Sequence, residues 1–379
     1  MITIELDEVV ETARRNTGLD DFGDEAFLAP LGVLIDSVNT EANLKDSGIE
    51  WERSDLVHAL ELRLQAHKFF AEYPEILGEP MTAPIVIVGP QRSGTSKLYR
   101  VVAADPQWTK LYTWQAMFPV PLGDGRPTAS PDPRIAVAEE ACKQFEWLQA
   151  AHEVDPRAPE MEAHIMNFAF MTNSPRRLVP THQRYCETAD HTPVYRWLNS
   201  MLQFVQWQNN VPARRWILKS PPHLLSLEAL SQQYPDATLV MTHRHPVASV
   251  ASMFKLVELA QGNTARSVDR GRIRDAWLRI LSLNLQRFLE FRDAHGDGKW
   301  VDVPYSEVRN DSLKSVERIY QHAGAEVSQE TIDAVQRWES ENPQHKKGAH
   351  NYALQDYGLT ADNVDREFAE YITRFGDLF

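Results

Sequence analysis

Four consecutive branched residues, Ile85-Val86-Ile87-Val88, stand out in a chain whose apolar positions mostly recur at helical spacing. Bounded by Pro84 and Gly89-Pro90, such a run predicts a short strand buried on both faces. A six-residue turn closed by Gly94 follows, and Leu98, Val101 and Val102 then give a helical stripe over 95–103. Upstream, the periodicity predicts helices over 4–17, 22–38 and 56–70, the last turning Leu56, Leu60, Leu62, Phe69 and Phe70 inward. Downstream, an apolar stretch at 108–117 leads through a Pro/Gly-rich loop to a helix over 135–151. A second strand is predicted at Trp216–Ser220, ended by Pro221-Pro222, with a helix over 223–233 carrying Leu224, Leu227 and Leu230. A third strand covers 238–242, followed by a helix over 247–259. Helices over 272–292, 313–322, 330–341 and 364–375 and a strand over 299–303 complete the chain.

Strand and helix alternating at this spacing predict an α/β protein, a central parallel sheet flanked by helices with right-handed crossovers. No linker or low-complexity run divides the 379 residues. The expected organisation is an N-terminal helical extension over 1–80 and one α/β domain over 81–379. A helical insert at about 135–210 is rich in aromatic residues and Met, among them Met166, Phe168, Tyr195, Trp197, Phe204 and Trp207. A stripe of this kind is core in most proteins; its place between the first two strands also suits the wall of an acceptor site.

Charge narrows the ligand. The formal charge is −14, and residues 1–80 hold 18 acids against 6 Arg and Lys, a net of −12 that leaves −2 for the rest. No basic face for nucleic acid is on offer. An anionic ligand would have to be held by a few placed cations, which draws attention to Arg92, Lys219, Arg244 and the Lys346-Lys347 pair. Cys142 and Cys186 make no disulfide framework and read as reduced thiols of a cytoplasmic protein. No apolar run is long enough for a membrane span, and the acidic start lacks a secretion signal. No His, Cys and Asp cluster has metal-ligand spacing.

A turn between a buried strand and a helix N-terminus gathers unpaired N–H groups at the positive end of the helix dipole, and so suits an anion. Arg92, Ser93, Thr95 and Ser96 add a cation and three hydroxyls. Gly89 and Gly94 keep the Gly-x-x-x-x-Gly spacing of a nucleotide-binding loop, but Thr95 stands where the ATP/GTP version has lysine. The plain alternative is a tight turn with an exposed arginine. Ligand groups in a parallel sheet belong at the carboxyl ends of strands, and the loop, Lys219 and Arg244 all fall there.

Taken together, Pro90-x-Arg92-Ser93-Gly94-Thr95-Ser96 resembles the 5′-phosphosulfate loop of sulfotransferases that use 3′-phosphoadenylyl sulfate (PAPS). Arg244, with Pro246 and then Ser252 eight positions on, is similar to their 3′-phosphate motif. Lys219-Ser-Pro-Pro-His223 and Tyr234-Pro-Asp-Ala237 resemble the bacterial and Golgi-type branch; Tyr305-Ser-Glu307 and Lys347-Gly348 are further landmarks. The resemblance covers roughly residues 84–355 and implies a P-loop-NTPase-like sulfotransferase fold with PAPS as donor and adenosine 3′,5′-bisphosphate (PAP) as product. The implied acceptor is a small molecule, lipid or glycan bearing a hydroxyl or amine.

By the same resemblance Arg92 and Ser93, Gly94, Thr95 and Ser96 hold the 5′-phosphate, and Lys219 contacts the bridging oxygen or the sulfuryl group. Arg244 and Ser252 hold the 3′-phosphate, with Lys346, Lys347 and Gly348 arriving as a covering loop. Catalysis is thus expected from Arg92, Lys219 and His223, the last as general base placed at a helix N-terminus that keeps its imidazole neutral. Two departures stand out. His223 is four residues after Lys219 where cytosolic relatives have a histidine two residues on, and His245 replaces a frequent aspartate. Helix capping or a phosphate contact competes for His223, and Glu162 and His164 are the alternative bases. A kinase with a degenerate loop, or a non-catalytic nucleotide-binding relative, are the other readings.

Overall fold

The computed structural model describes residues 3–148, 153–209, 214–343 and 353–379. Its sheet has four parallel strands: β1 (Ile85–Val88), β2 (Ile217–Lys219), β3 (Thr238–His243) and β4 (Trp300–Pro304). They lie in the order β2-β1-β3-β4, so β1 is hydrogen-bonded on both edges. Ile87 pairs with Lys219 on one side and Val240 on the other, which brings the ends of three strands level.

Alternation in β1 feeds two cores. Ile85 and Ile87 pack with Leu98, Val101 and Val102 of the helix Thr95–Ala104, and with Val316, Ile319 and Val335 beyond it. Val86 and Val88 face the opposite way, toward Leu198 and Leu202 of Thr192–Asn209 and toward Val250, Leu281 and Leu285. Each such side chain buried contributes roughly 1.5–3 kcal/mol. A strand with no solvent face has no polar position to spare, hence four branched residues in a row.

The helix expected at 56–70 runs from Asp46 to Glu72. Its polar first turns have tertiary partners: Glu52 is buried against Arg177 at 2.6 Å, and the Gly48 backbone lies against the Thr264 carbonyl. Leu56, Leu60 and Leu64 on this helix join the core of Leu6–Thr17 and Leu28–Glu41, whereas Leu62, Ala66, Phe69 and Phe70 join the main core. The single long helix therefore ties the first 80 residues to the sheet.

One other expectation needs correction. The helix expected over 223–233 is a 3-10 turn, Pro221–Leu225, and a separate helix, Leu227–Gln233, broken at Ser226. The break comes where Ser226 leaves helical geometry, at φ −132° and ψ 35°. The aromatic insert forms helices Ala163–Asn167, Pro180–Thr188 and Thr192–Asn209, and most of its rings are spent on packing. Phe204 packs tilted and Trp207 edge-on against Phe69, and Trp197 covers the Arg63 guanidinium. Among the described residues no helix is long and apolar enough to cross a membrane.

Candidate active site

The turn after β1 is built on close approaches that only glycine permits. A side chain at Gly89, whose φ is 151°, would place its Cβ 2.3 Å from Thr242 Oγ1; at Gly94, φ 92°, it would lie 2.9 Å from the Tyr305 ring. Gly94 is also the N-cap of Thr95–Ala104 and leaves that helix start without a side-chain cap. The first N–H groups of a helix have no intrahelical partner, so this end stays available to an anion.

Within the turn Ser93 is sealed from solvent. Its hydroxyl donates to the Pro90 carbonyl at 2.6 Å and receives a hydrogen bond from Thr242 Oγ1 at 2.6 Å, which pins the loop to β3. Arg92 adopts φ 72°, a left-handed conformation that costs a residue with a side chain about 1–3 kcal/mol. Two contacts hold it there. Arg244 Nη1 donates to the Arg92 carbonyl at 2.6 Å, and Arg92 Nε donates to Ser252 Oγ at 3.0 Å. The Arg244 guanidinium lies 4.3 Å over the Tyr305 ring, the ring that also bounds Gly94. Three side chains expected around two different phosphates are thus already one connected group.

Lys219 ends β2 facing the same loop. Its ammonium lies 3.4 Å from Ser96 Oγ, 3.6 Å from Glu160 Oε1 and 5.7 Å from the Tyr99 ring centre. Only 2 % of it is exposed. Burial lowers its pKa below 10.5, and the nearby Glu160 and Glu162 carboxylates oppose that shift without cancelling it. Burial, with Glu162 and Glu160 adding to it, lifts the Tyr99 phenol well above its usual value.

Behind Lys219 is a sealed polar chain. Glu162 Oε2 accepts the Lys219 backbone N–H at 2.9 Å, and Glu162 Oε1 meets His223 Nε2 at 2.6 Å. His223 Nδ1 meets the Tyr195 hydroxyl at 2.8 Å. Glu162 and His223 are both 0 % exposed. An ionised Glu162 only accepts, so Nε2 carries the imidazole proton and Nδ1 accepts from Tyr195. Both ring nitrogens are engaged, and the residue lies in the 3-10 turn rather than at an α-helix N-terminus.

The sequence of this chain is matched over residues 84–329 by the model of the Sulfotransferase family. The chain belongs to that family. It is similar over nearly its whole length to two solved mycobacterial structures. Sulfotransferase STF1 from Mycobacterium tuberculosis H37Rv is 29% identical, with 97% of this chain and 99% of that one covered and a TM-score of 0.82. Sulfotransferase STF9 from Mycobacterium avium is 26% identical, with 99% and 97% covered and a TM-score of 0.87. No curated protein matches the chain significantly.

In this sulfotransferase Arg92, Ser93, Gly94, Thr95, Ser96, Lys219, Arg244 and Ser252 gather at adjacent strand ends. His223 lies one layer deeper, joined to them through Glu162. Lys346, Lys347 and Gly348 fall outside the described residues. His164 is half-buried on the short helix Ala163–Asn167. Glu160 escaped the sequence reading, which placed Tyr195 only in the aromatic stripe; the signal for Glu160 was two acids, Glu160 and Glu162, flanking Met161 at the start of an apolar run. A surface cleft of about 600 Å³ opens elsewhere, against the N-terminal helices. Its Arg266 and Arg272 are engaged with Asp46 and with the Leu44 and Glu41 carbonyls, which leaves it less suited to an anion.

Proposed function

We propose that this sulfotransferase transfers a sulfuryl group from PAPS to a hydroxyl or amine of a small-molecule, lipid or glycan acceptor. The observation that carries the reading is the convergence of Arg92, Lys219 and Arg244 on one glycine-closed loop. PAPS supplies an activated sulfuryl group on a phosphate oxygen, together with a 3′-phosphate that distinguishes it from ATP. Three cations and an uncapped helix start are the donor set such a ligand needs.

In this reading Gly94, Thr95 and Ser96 offer backbone N–H groups and hydroxyls to the 5′-phosphate, and Arg92 adds its charge. Ser93 contributes from within, bracing the loop with a hydroxyl that faces Pro90 and Thr242. Arg244 and Ser252 take the 3′-phosphate. Lys219 stabilises the negative charge that builds on the leaving oxygen, an electrostatic contribution made larger by its dry surroundings. The acceptor proton passes to the Tyr195 oxygen as the Tyr195 hydroxyl proton passes to His223 Nδ1, and Glu162 at Nε2 stabilises the imidazolium so formed. Buried thiols at Cys142 and Cys186, not joined in a disulfide, suit a reducing cytoplasm.

Thermal-shift titration tests the donor assignment. PAP should protect the protein far better than ADP or AMP, because only PAP engages both the loop and Arg244. Equal protection by ADP would overturn the assignment and favour a kinase.

A further inference from the structure

The His243-Arg244-His245 run carries two histidines that the chemistry above leaves unused. Both are gripped by the C-terminal segment. His243 is fully buried, and its ring stacks on Tyr371 (centroids 5.8 Å apart, planes 12° apart) and on Phe375 (4.6 Å, 28°). His245 stands edge-on to the Phe379 ring at 5.3 Å, with Nε2 3.8 Å from Asp365. The residues on either side of Arg244 are therefore both held by the last fifteen residues of the chain.

Polar contacts make the grip specific. The Tyr371 hydroxyl is 2.9 Å from His243 Nδ1. His243 Nε2 is 2.8 Å from Asp302 Oδ1, and Arg292 Nη1 reaches both oxygens of Asp302, at 2.7 and 3.0 Å. Only one arrangement of protons satisfies every member. An Asp302 paired with Arg292 is ionised and accepts, so Nε2 donates to it, and Nδ1 accepts from the Tyr371 hydroxyl. That hydroxyl thereby fixes the ring of the last residue of β3, next to Arg244.

We propose that Tyr371 is a positioning residue for Arg244, and that the C-terminal helix Ala369–Phe375 thereby sets the affinity for the 3′-phosphate of the donor. The inference rests on the assignment of Arg244 to that phosphate. Tyr371 acts through His243, the residue before Arg244. Loss of its hydroxyl frees the His243 ring, and the Arg244 guanidinium can then leave the Arg92 carbonyl and the Tyr305 face, where it is held now. The geometry of a charge-assisted contact to a phosphate oxygen decays with that freedom. Because Arg244 also holds the Arg92 carbonyl, the loosening spreads to the loop. Lys219 and the Glu162–His223 pair approach from β2, on the other side of β1, and are untouched.

The substitution Tyr371→Phe removes one oxygen and keeps the ring stack. The expected result is an increase of about tenfold in the Kd of PAP and the KM of the donor, with kcat and the acceptor KM within about twofold of wild type. A residue that merely stabilises the fold would lower the melting temperature and leave the donor KM alone; an unchanged donor KM overturns the inference. A second readout needs no nucleotide. Amide hydrogen exchange at Arg244 should accelerate in the unliganded Tyr371→Phe protein, while exchange within β1 stays slow; equal rates at Arg244 in both proteins also overturn the inference. Wild-type protein that binds no PAP would instead remove the donor assignment, and the exchange comparison would still decide whether Tyr371 holds the strand end.

Discussion

The two sides of Lys219 are built differently. On the loop side Arg92, Gly94, Ser96 and Arg244 are all partly open to solvent, and Arg244 donates to the Arg92 carbonyl. On the far side Glu160, Glu162, His223 and Tyr195 are buried, and every polar atom described there has a partner supplied by a distant element. An open, cationic side can exchange its internal contacts for those of a phosphate at little cost, because each donor has a replacement acceptor. A dry side cannot give up a partner without leaving a charge unsolvated, at a cost of 1–3 kcal/mol or more. The loop side is thus suited to binding, and the buried side to holding the proton-accepting groups in one fixed arrangement.

That contrast can be broken most severely at His223. His223→Ala should lower kcat by about 10²–10⁴-fold while PAP binding, measured by calorimetry, stays close to wild type. Turnover within threefold of wild type would mean that the buried chain serves packing alone, and Glu160 would then be the next acid to substitute. Arg244→Ala probes the opposite side. It should weaken PAP binding by about 2–5 kcal/mol and leave kcat at saturating donor nearly unchanged. A variant that binds PAP normally but turns over slowly would show that the roles of the two sides are exchanged.

The smallest effect is on pH dependence. Burial lowers the Lys219 pKa from 10.5, so the ammonium loses its proton as pH rises through that lowered value. Rate should fall there by up to tenfold per pH unit, earlier than for an exposed lysine. Arg92 and Arg244 are guanidinium groups that stay charged throughout, so PAP affinity should be flat over the same range. Parallel measurement of kcat and Kd from about pH 7 to about pH 10 separates the two, and Lys219→Arg should abolish the alkaline fall. A Kd that rises together with the loss of kcat would contradict the division between sides.

Legibility in the sequence followed the same line. The loop side could be read from order and spacing, because a buried strand, a glycine-closed turn and a helix start are consecutive in the chain. Arg244 and Lys219 could be placed because strand ends in a parallel sheet share one edge. The buried side could not be read in this way. Glu162 reaches His223 and the Lys219 backbone across 61 and 57 residues of chain, and the acids local to it do not show which partners it meets. His223 was expected at an α-helix start, but it lies in the 3-10 turn Pro221–Leu225 with its ring buried. The aromatic rings of the insert obeyed the general rule for such stripes: Trp197, Phe204 and Trp207 fill the seam with Asp46–Glu72, and Tyr195 alone of those four reaches the polar chain.

The position of β1 at the centre of the sheet also fixes when the phosphate cradle can exist. Its brace joins Ser93 to Thr242, which lie 149 residues apart, and both neighbouring strands of β1 belong to that later stretch. Synthesis at about 5–20 residues per second leaves Ile85–Val88 without either neighbour for roughly 7–30 s. During that time an apolar strand with two open edges is exposed to whatever else can pair with it. The helices before it can already pack on one another through contacts close in sequence. A nascent chain halted before Thr242 therefore carries the whole loop motif, folded helices behind it, and no cradle.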